Sequence, residues 1–388
     1  MIKRLFKRLL LLSFLAAIIF FFAAGKIADR INNKIEKVED YSISSEAISL
    51  HQRLSIVDLH ADNLLWDRNP LVRQGHGHVD IPRLKEGNYT LQVFDAVIKT
   101  PKNLNYQANS DDTDNIKLLS MANRWPIKSW LNLTERAIHQ SRVLHHAAAS
   151  DAGLVVIRSK SDLEYFQKLR NSNSYLIGGL LSIEGLHALE NDLNNLDVLY
   201  DEGYRIMGLV HFFDNEVGGS SAGIVQGGLT DLGKQVIRKM NQKNIIIDLA
   251  HASDQLVDEV LTFSTDPVIV SHAGVKAMME SPRNLSDAQI KRIADKSGLI
   301  GIGFWEEAVG GTNPSDIARS IVYVAEMVGI EHVALGSDFD GAVTTSFDSS
   351  QIIYITEALL REGMSSDDIA KVMGGNALQF FLDNLPPN

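Results

Sequence analysis

Eight short aliphatic runs, each followed by a loop and then a helical pattern, predict an α/β fold closed into a (β/α)8 TIM-type barrel. The runs are residues 55–60, 91–97, 175–184, 205–211, 244–251, 267–272, 298–304 and 332–338. They are apolar on both faces, as strands of a parallel sheet covered by helices are. Between them the period changes to that of a helix. Residues 230–242 place Leu232, Val236, Ile237 and Met240 on one face, and the patterns at 253–261, 286–294, 315–327 and 366–373 each begin with a serine suited to capping. A third observation sharpens the prediction: the ionisable residues of the runs gather at their C-terminal ends, the end of a barrel where active sites are built.

Composition narrows the function. The 388 residues carry a formal net charge of -11, which argues against nucleic acid as a partner, because phosphates require a basic surface. With no cysteine, neither disulfides nor thiolate metal sites are available. Any metal must be held by His, Asp and Glu.

The N-terminus predicts export or anchoring. Lys3, Arg4, Lys7 and Arg8 precede a stretch from residue 9 to 24 that is apolar except for Ser13. It is short for a full span of roughly 20 residues, yet no small-x-small cleavage site follows it. The division expected is an anchor over 1–25, a polar tether or leading helix over 26–45, and a catalytic barrel over 46–388. The basic residues keep the first end in the cytoplasm, so the barrel is expected outside it, in a bacterial cell envelope on the periplasmic side. Release to the periplasm after signal cleavage is the alternative. Two loops stand out, a polar one at 99–115 and a Gly-rich one at 212–229; the latter lacks the Gly-Lys-Ser/Thr ending of a phosphate loop.

The strand ends carry the chemistry. The first run ends in His60 and is followed by Asp62; the third ends in Glu184, the fourth in His211, the fifth in His251, the sixth in His272 and the eighth in Asp338. Each alone has a duller reading, as a satisfied polar residue or a helix cap. Asp340 reads equally well as a turn residue before Gly341, and His76, His78, His145, His146 and His187 read as surface or loop residues. Together, seven ionisable groups at one barrel mouth would be costly without compensation. Carboxylates and imidazoles suit zinc, manganese or a similar divalent ion. A bridging carboxylate with flanking ligands suits two ions, which ionise a bridging water and polarise a carbonyl.

At this point a resemblance appears. Asp-Leu-His60-Ala-Asp62, the stretch from His78 to Gly87, Ile-Glu184-Gly, the Gly-Leu-Thr-Asp-Leu-Gly stretch, Ile-Asp-Leu-Ala-His251, Ser-His272-Ala, Pro-Arg283-Asn-Leu-Ser-Asp, Gly-Ser-Asp338-Phe-Asp-Gly and Met-Gly-Gly-Asn376-Ala-Leu occur in this order. The chain resembles the membrane dipeptidase (renal dipeptidase) family over about residues 50 to 380. The resemblance implies two Zn2+ per subunit, with His60 and Asp62 on one, His251 and His272 on the other, and Glu184 bridging both. It implies that His211 contacts the scissile carbonyl and its oxyanion, that Arg283 clamps the substrate carboxylate, and that Asp338 is the acid-base residue.

The reaction implied is hydrolysis of the amide bond of a dipeptide by a metal-bridging hydroxide, with L-Xaa-D-Xaa dipeptides among the substrates considered. A homodimer is a candidate assembly, but the disulfide-linked form of vertebrate members does not transfer to a chain without cysteine. The loops at 99–130 and 304–313 match no family pattern and are expected to set side-chain preference. Two rivals remain: another hydrolysis on the same barrel, and a non-enzymatic scaffold.

Overall fold

The computed structural model describes residues 2–37 and 41–388. Its centre is a ring of eight parallel strands: β1 Ile56–Ala61, β2 Tyr89–Val97, β3 Ile177–Glu184, β4 Tyr204–Gly208, β5 Ile246–Asp248, β6 Val268–Ala273, β7 Leu299–Ile302 and β8 Val333–Leu335. Neighbours follow chain order. Pairing of Leu335 on β8 with Asp58 on β1 closes the ring, and the eight expected runs are these eight strands. A ninth strand, Leu154–Ile157, was not expected. It pairs with the first half of β3, from Ile177 to Leu180, while β4 pairs with the second half, from Leu181 to Glu184.

Two apolar layers hold the barrel. Inside, Leu91, Val93, Leu180, Ile206 and Ile269 pack on Phe166 of helix Lys160–Arg170 and Phe381 of helix Asn376–Asn384, which plug the N-terminal end of the ring. Outside, Met207, Ile247, Val270 and Ile300 meet Ile237, Val260, Ile293 and Ile321 from the surrounding helices. Burying each such side chain stabilises the fold by about 1.5–3 kcal/mol. With one end plugged by Phe166 and Phe381, polar side chains gather at the other.

Helix starts follow side-chain chemistry. Thr230 caps Asp231–Lys243, Ser253 caps Asp254–Phe263, and Ser286 forms a capping box with Gln289 at Asp287–Asp295. Two expected serine caps are corrected. Helix Pro314–Val328 starts before Ser315: Asn313 and Asp316 form its capping box, and Pro314, with its fixed φ and missing N–H, fills the first position. Helix Ser366–Ala370 is capped by Ser365, one residue earlier than expected.

At the N-terminus one helix, Ile2–Asn32, is long and apolar enough to cross a membrane by length and composition. Residues of the expected tether thus form the last turns of that helix and a short strand, Lys34–Ile35, which pairs in parallel with Thr344–Thr345. Residues 38–40 of that tether lie outside the described residues.

Candidate metal centre and active site

Glu184 is the hub of the barrel mouth. It is the last residue of β3, and its side chain is 5% exposed. One carboxylate oxygen, Oε1, lies 3.1 Å from His251 Nε2, 3.3 Å from His272 Nε2 and 3.5 Å from His60 Nε2. The other, Oε2, lies 3.0 Å from His211 Nε2. Asp62 Oδ1 stands 3.3 Å from His60 Nε2, and Asp338 Oδ1 stands 3.9 Å from it. The structure therefore brings all seven strand-end residues together, the other six standing around Glu184 or around its neighbour His60.

The turns that carry these groups are built from buried aspartates to which the sequence reading gave no role. The Asp58 carboxylate accepts from the Ser337 amide at 2.8 Å and the Ser337 hydroxyl at 2.6 Å, tying the end of β8 to β1 beside His60 and Asp338. Asp248 does the same on the opposite side of the barrel: it accepts from the Ala250 and Ser271 amides, both at 2.9 Å, and so fixes His251 relative to His272. His251 (φ 64°) and Asp338 (φ 60°) both take the left-handed conformation that non-glycine residues rarely adopt. Such strain persists where the surroundings enforce it, and it collects at functional sites.

Electrostatics distinguish the groups. Burial pushes the Glu184 carboxyl up, but the charges of the His211 and His60 imidazoles and the hydrogen bonds from His211 and His251 prevail and hold it well below the usual carboxylate range. Burial drives His251 and His272 well below their ordinary value, helped by the nearby Arg283 cation, so both rings are neutral and offer lone pairs. Asp338 is pushed well up, first by burial and then by Asp62.

This donor set fits a divalent metal. Nε2 of His251 and Nε2 of His272 lie 3.2 Å apart, both beside Glu184 Oε1, so a cation among them could take the lone pairs of both rings and the carboxylate at once. Both ring nitrogens of His60 and Oδ1 of Asp62 are buried without a hydrogen-bond partner, a costly state that ligation relieves. The other nitrogen of His272, Nδ1, is oriented by the Ser271 hydroxyl at 2.8 Å, the outer contact a ligating histidine normally has.

Asp95 is the residue that sequence reading missed. It lies inside the barrel on β2, accepts a hydrogen bond from the Ser182 hydroxyl, and its Oδ1 stands 4.0 Å from His60 Nδ1. With His60, Asp62 and Glu184 it forms one of three groups whose ligand atoms lie within 4.8 Å of one another. The only signal in the sequence was a lone acid inside an apolar run, at 91–97.

Arg283 behaves differently from the strand-end groups. It is 5% exposed, donates from Nη2 to the His272 carbonyl at 2.7 Å and lies over the Trp305 ring at 5.9 Å. It pairs with no carboxylate among the described residues and does not line the cavity below, although it is close enough for Asp338 and Glu184 to act on its charge. Asp340 is not in the cluster either. Its carboxylate accepts from the His78 and Val79 amides and pairs with Arg68 at 2.8 Å, so it is a buried structural anchor. His78 and His187, expected at the surface or in loops, are both buried. His78 is sequestered because Lys34 O and the Asp340 amide bracket its ring, and His187 because it packs under Gly185 and against Phe213.

Above the cluster lies a cavity of about 460 Å³, lined by Asp62, Glu184, His211, His251, His272 and Asp338 at its polar floor. Tyr106 and Leu104 of the 99–115 loop and Phe212 of the 212–229 loop rise around it. Asn109 ties those loops together through the Ala222 carbonyl at 3.0 Å and the Phe212 carbonyl at 3.1 Å. A volume of this size suits a small organic ligand.

Comparison with known proteins agrees with this architecture. Among solved structures, an amidohydrolase from Pseudomonas aeruginosa is 20% identical with a TM-score of 0.68, covering 88% of this chain and 99% of that one. A metallopeptidase from Rhodobacter sphaeroides, bound to a phosphinate mimic of the dipeptide L-Ala-D-Ala, is 22% identical with a TM-score of 0.69, covering 86% and 99%. These likenesses establish the fold. Among sequences, the dipeptidase aclJ of Aspergillus oryzae is 28% identical over 360 residues, 85% of this chain and 78% of its own length. The dipeptidase tcpJ of Claviceps purpurea is 26% identical over 340 residues, 85% and 74%. The model of the membrane dipeptidase family (peptidase family M19) matches residues 44–383. The chain belongs to that family, and it is a metal-dependent dipeptidase, a hydrolase acting on peptide bonds.

Proposed function

We propose that the enzyme holds two zinc ions and cleaves the single amide bond of dipeptides, L-Xaa-D-Xaa pairs among them. The observation that carries this reading is Glu184, a carboxylate whose two oxygens face four histidine nitrogens at 3.0–3.5 Å. His60 and Asp62 would hold one ion, His251 and His272 the other, and Glu184 both. When bound, the pair supplies Lewis acidity and an ionised water at neutral pH.

The chain's own residues do the rest. His211, whose Nε2 hydrogen-bonds Glu184 in the structure, would turn a ring N–H to the developing oxyanion and stabilise it once metal ions take up that carboxylate. Asp338, 3.9 Å from His60 Nε2 at the cavity floor, takes the proton of the attacking water and passes it to the leaving amine. Arg283 grips the free carboxylate. One of its five N–H donors is used by the His272 carbonyl, and a buried guanidinium with no carboxylate partner among the described residues calls for an anionic ligand. A carboxylate held one residue beyond the scissile bond selects dipeptides over longer chains. The N-terminal helix anchors the enzyme at a membrane, with the catalytic domain on the extracytoplasmic side of a bacterial envelope.

The test is a dipeptide panel, L-L against L-D, on purified full-length protein with metal analysis and with and without chelator. Two equivalents of zinc and chelator-sensitive turnover are expected. Turnover that survives complete metal removal would sink the reading.

A further inference from the structure

The helix that leads out of the apolar N-terminal stretch forms one wall of the active-site cavity. Phe20, Ala24, Ala28 and Asn32, spaced four residues apart, lie on one helical face, and all four line the cavity whose floor is Glu184, His211, His251 and His272. Leu104, Ile116, Leu119 and Val343 line the same cavity, and Ala28 packs in one cluster with Ile116 and Leu119. The walls above the polar floor are mostly apolar, with Asn32, Thr100 and Asn115 among them.

This segment is built into the fold. Asp29 is 2% exposed; its Oδ2 lies 3.1 Å from Arg68 Nε and 2.9 Å from His76 Nε2, and its Oδ1 accepts from Asn33 Nδ2 at 2.8 Å. Asn33 Oδ1 accepts from the Ala342 amide at 3.0 Å, close in sequence to Asp338. Arg124 donates to the Phe21 carbonyl at 2.8 Å and lies over the Phe22 ring at 4.9 Å. Gly25 sits so close to Asn123 that a Cβ there would fall 1.7 Å from its Oδ1.

We propose that the face Phe20, Ala24, Ala28 and Asn32 is the specificity wall of the site, and that the preferred dipeptides carry a large apolar side chain. The proposal rests on the dipeptidase reading above. A dipeptide's amide and carboxylate occupy the polar floor. The small side chains of Ala24 and Ala28 leave room above it, and apolar surface around that room favours burial of an aromatic or long aliphatic group. Each methylene accommodated or rejected by such a wall is worth roughly 10-fold or more in discrimination.

The test uses full-length, zinc-loaded protein and two kinds of non-hydrolysable phosphinic dipeptide mimic, one with methyl side chains and one with a benzyl group, made with the benzyl at the first position and at the second. Dissociation constants are measured directly, alongside kcat/KM for the matching dipeptides. The wild type is expected to bind the better benzyl mimic at least 10-fold more tightly than the methyl mimic. Ala28→Leu, which fills the wall, should lower that ratio at least 10-fold, whereas Phe20→Ala should let bulkier side chains compete. Ile27→Ala and Ile31→Ala, on the exposed face of the same helix, should leave the ratio unchanged. Thermal midpoint and zinc content show that the Ala28→Leu protein is folded.

A folded Ala28→Leu variant with the wild-type ratio overturns the proposal, as does a wild type that binds both mimics equally. A wild type that cleaves no dipeptide overturns the functional reading instead, while the ratio of the two mimics still reports on the wall.

Discussion

If Arg283 grips the substrate carboxylate, replacing it and removing the carboxylate should be the same perturbation. The guanidinium is buried, has no carboxylate partner among the described residues, and has one hydrogen bond, to the His272 carbonyl. Removing one member of a buried charge pair costs about 3–5 kcal/mol. At 1.36 kcal/mol per tenfold, that is roughly a 150- to 5000-fold loss in kcat/KM for Arg283→Ala acting on a dipeptide. The C-terminal amide of the same dipeptide should lose a similar factor on the wild type. The two losses should not add. On Arg283→Ala the amide should fall only about 5-fold below its wild-type rate, the cost of about 1 kcal/mol for the lost bond to the His272 carbonyl. The assay is steady-state kinetics on two enzymes and two substrates. Should Arg283→Ala slow the dipeptide and its amide by equal factors, Arg283 merely supports His272 and the clamp is wrong.

Asp338→Asn should keep its full metal content yet lose most turnover, about 10²- to 10⁴-fold, since its part is proton transfer; metal analysis beside kinetics decides, and loss of metal would make it a ligand. Asp95→Ala should weaken zinc retention about 10- to 100-fold in competition with a chromogenic chelator, because it leaves His60 without a carboxylate behind its ring. An unchanged affinity would make Asp95 a packing residue. His51, far from the mouth, bonds to Thr356 and Gly87 and is lowered to about 4, mainly by burial. The unfolded chain takes up this proton first, near 6.5, so the associated stability is complete above that pH and lost as pH falls toward about 4. At pH 5 the loss is about 2 kcal/mol, and denaturant unfolding of His51→Gln should show a stability difference between pH 7.5 and pH 5 smaller by that amount. Equal pH dependence in both proteins would disprove it.

The sequence by itself determined the barrel and the floor of its site. Aliphatic runs buried on both faces are a local property, legible residue by residue, and the ligands stand at the ends of those same runs. His60, Glu184 and His272 end or lie within β1, β3 and β6, and His211, His251 and Asp338 follow three residues after β4, β5 and β8. Once eight runs close into a ring, convergence of their ends is geometrically required. Other features needed the tertiary structure. Asp95 resembled any acid in a strand until β2–β3 pairing set it opposite Ser182 and below His60. Asp58 and Asp248 acquired roles only through amides on neighbouring strands. Above all, residues 26–45 read from sequence as a tether or leading helix, with no sign of which surface they would meet. Asp29 and Asn33 are buried, and Ala24 and Ala28 line a cavity, because Arg68, His76 and Ala342 meet them from parts of the chain tens to hundreds of residues away. Periodicity specifies which face of a segment is apolar. Which surface that face meets is decided by closure of the whole chain.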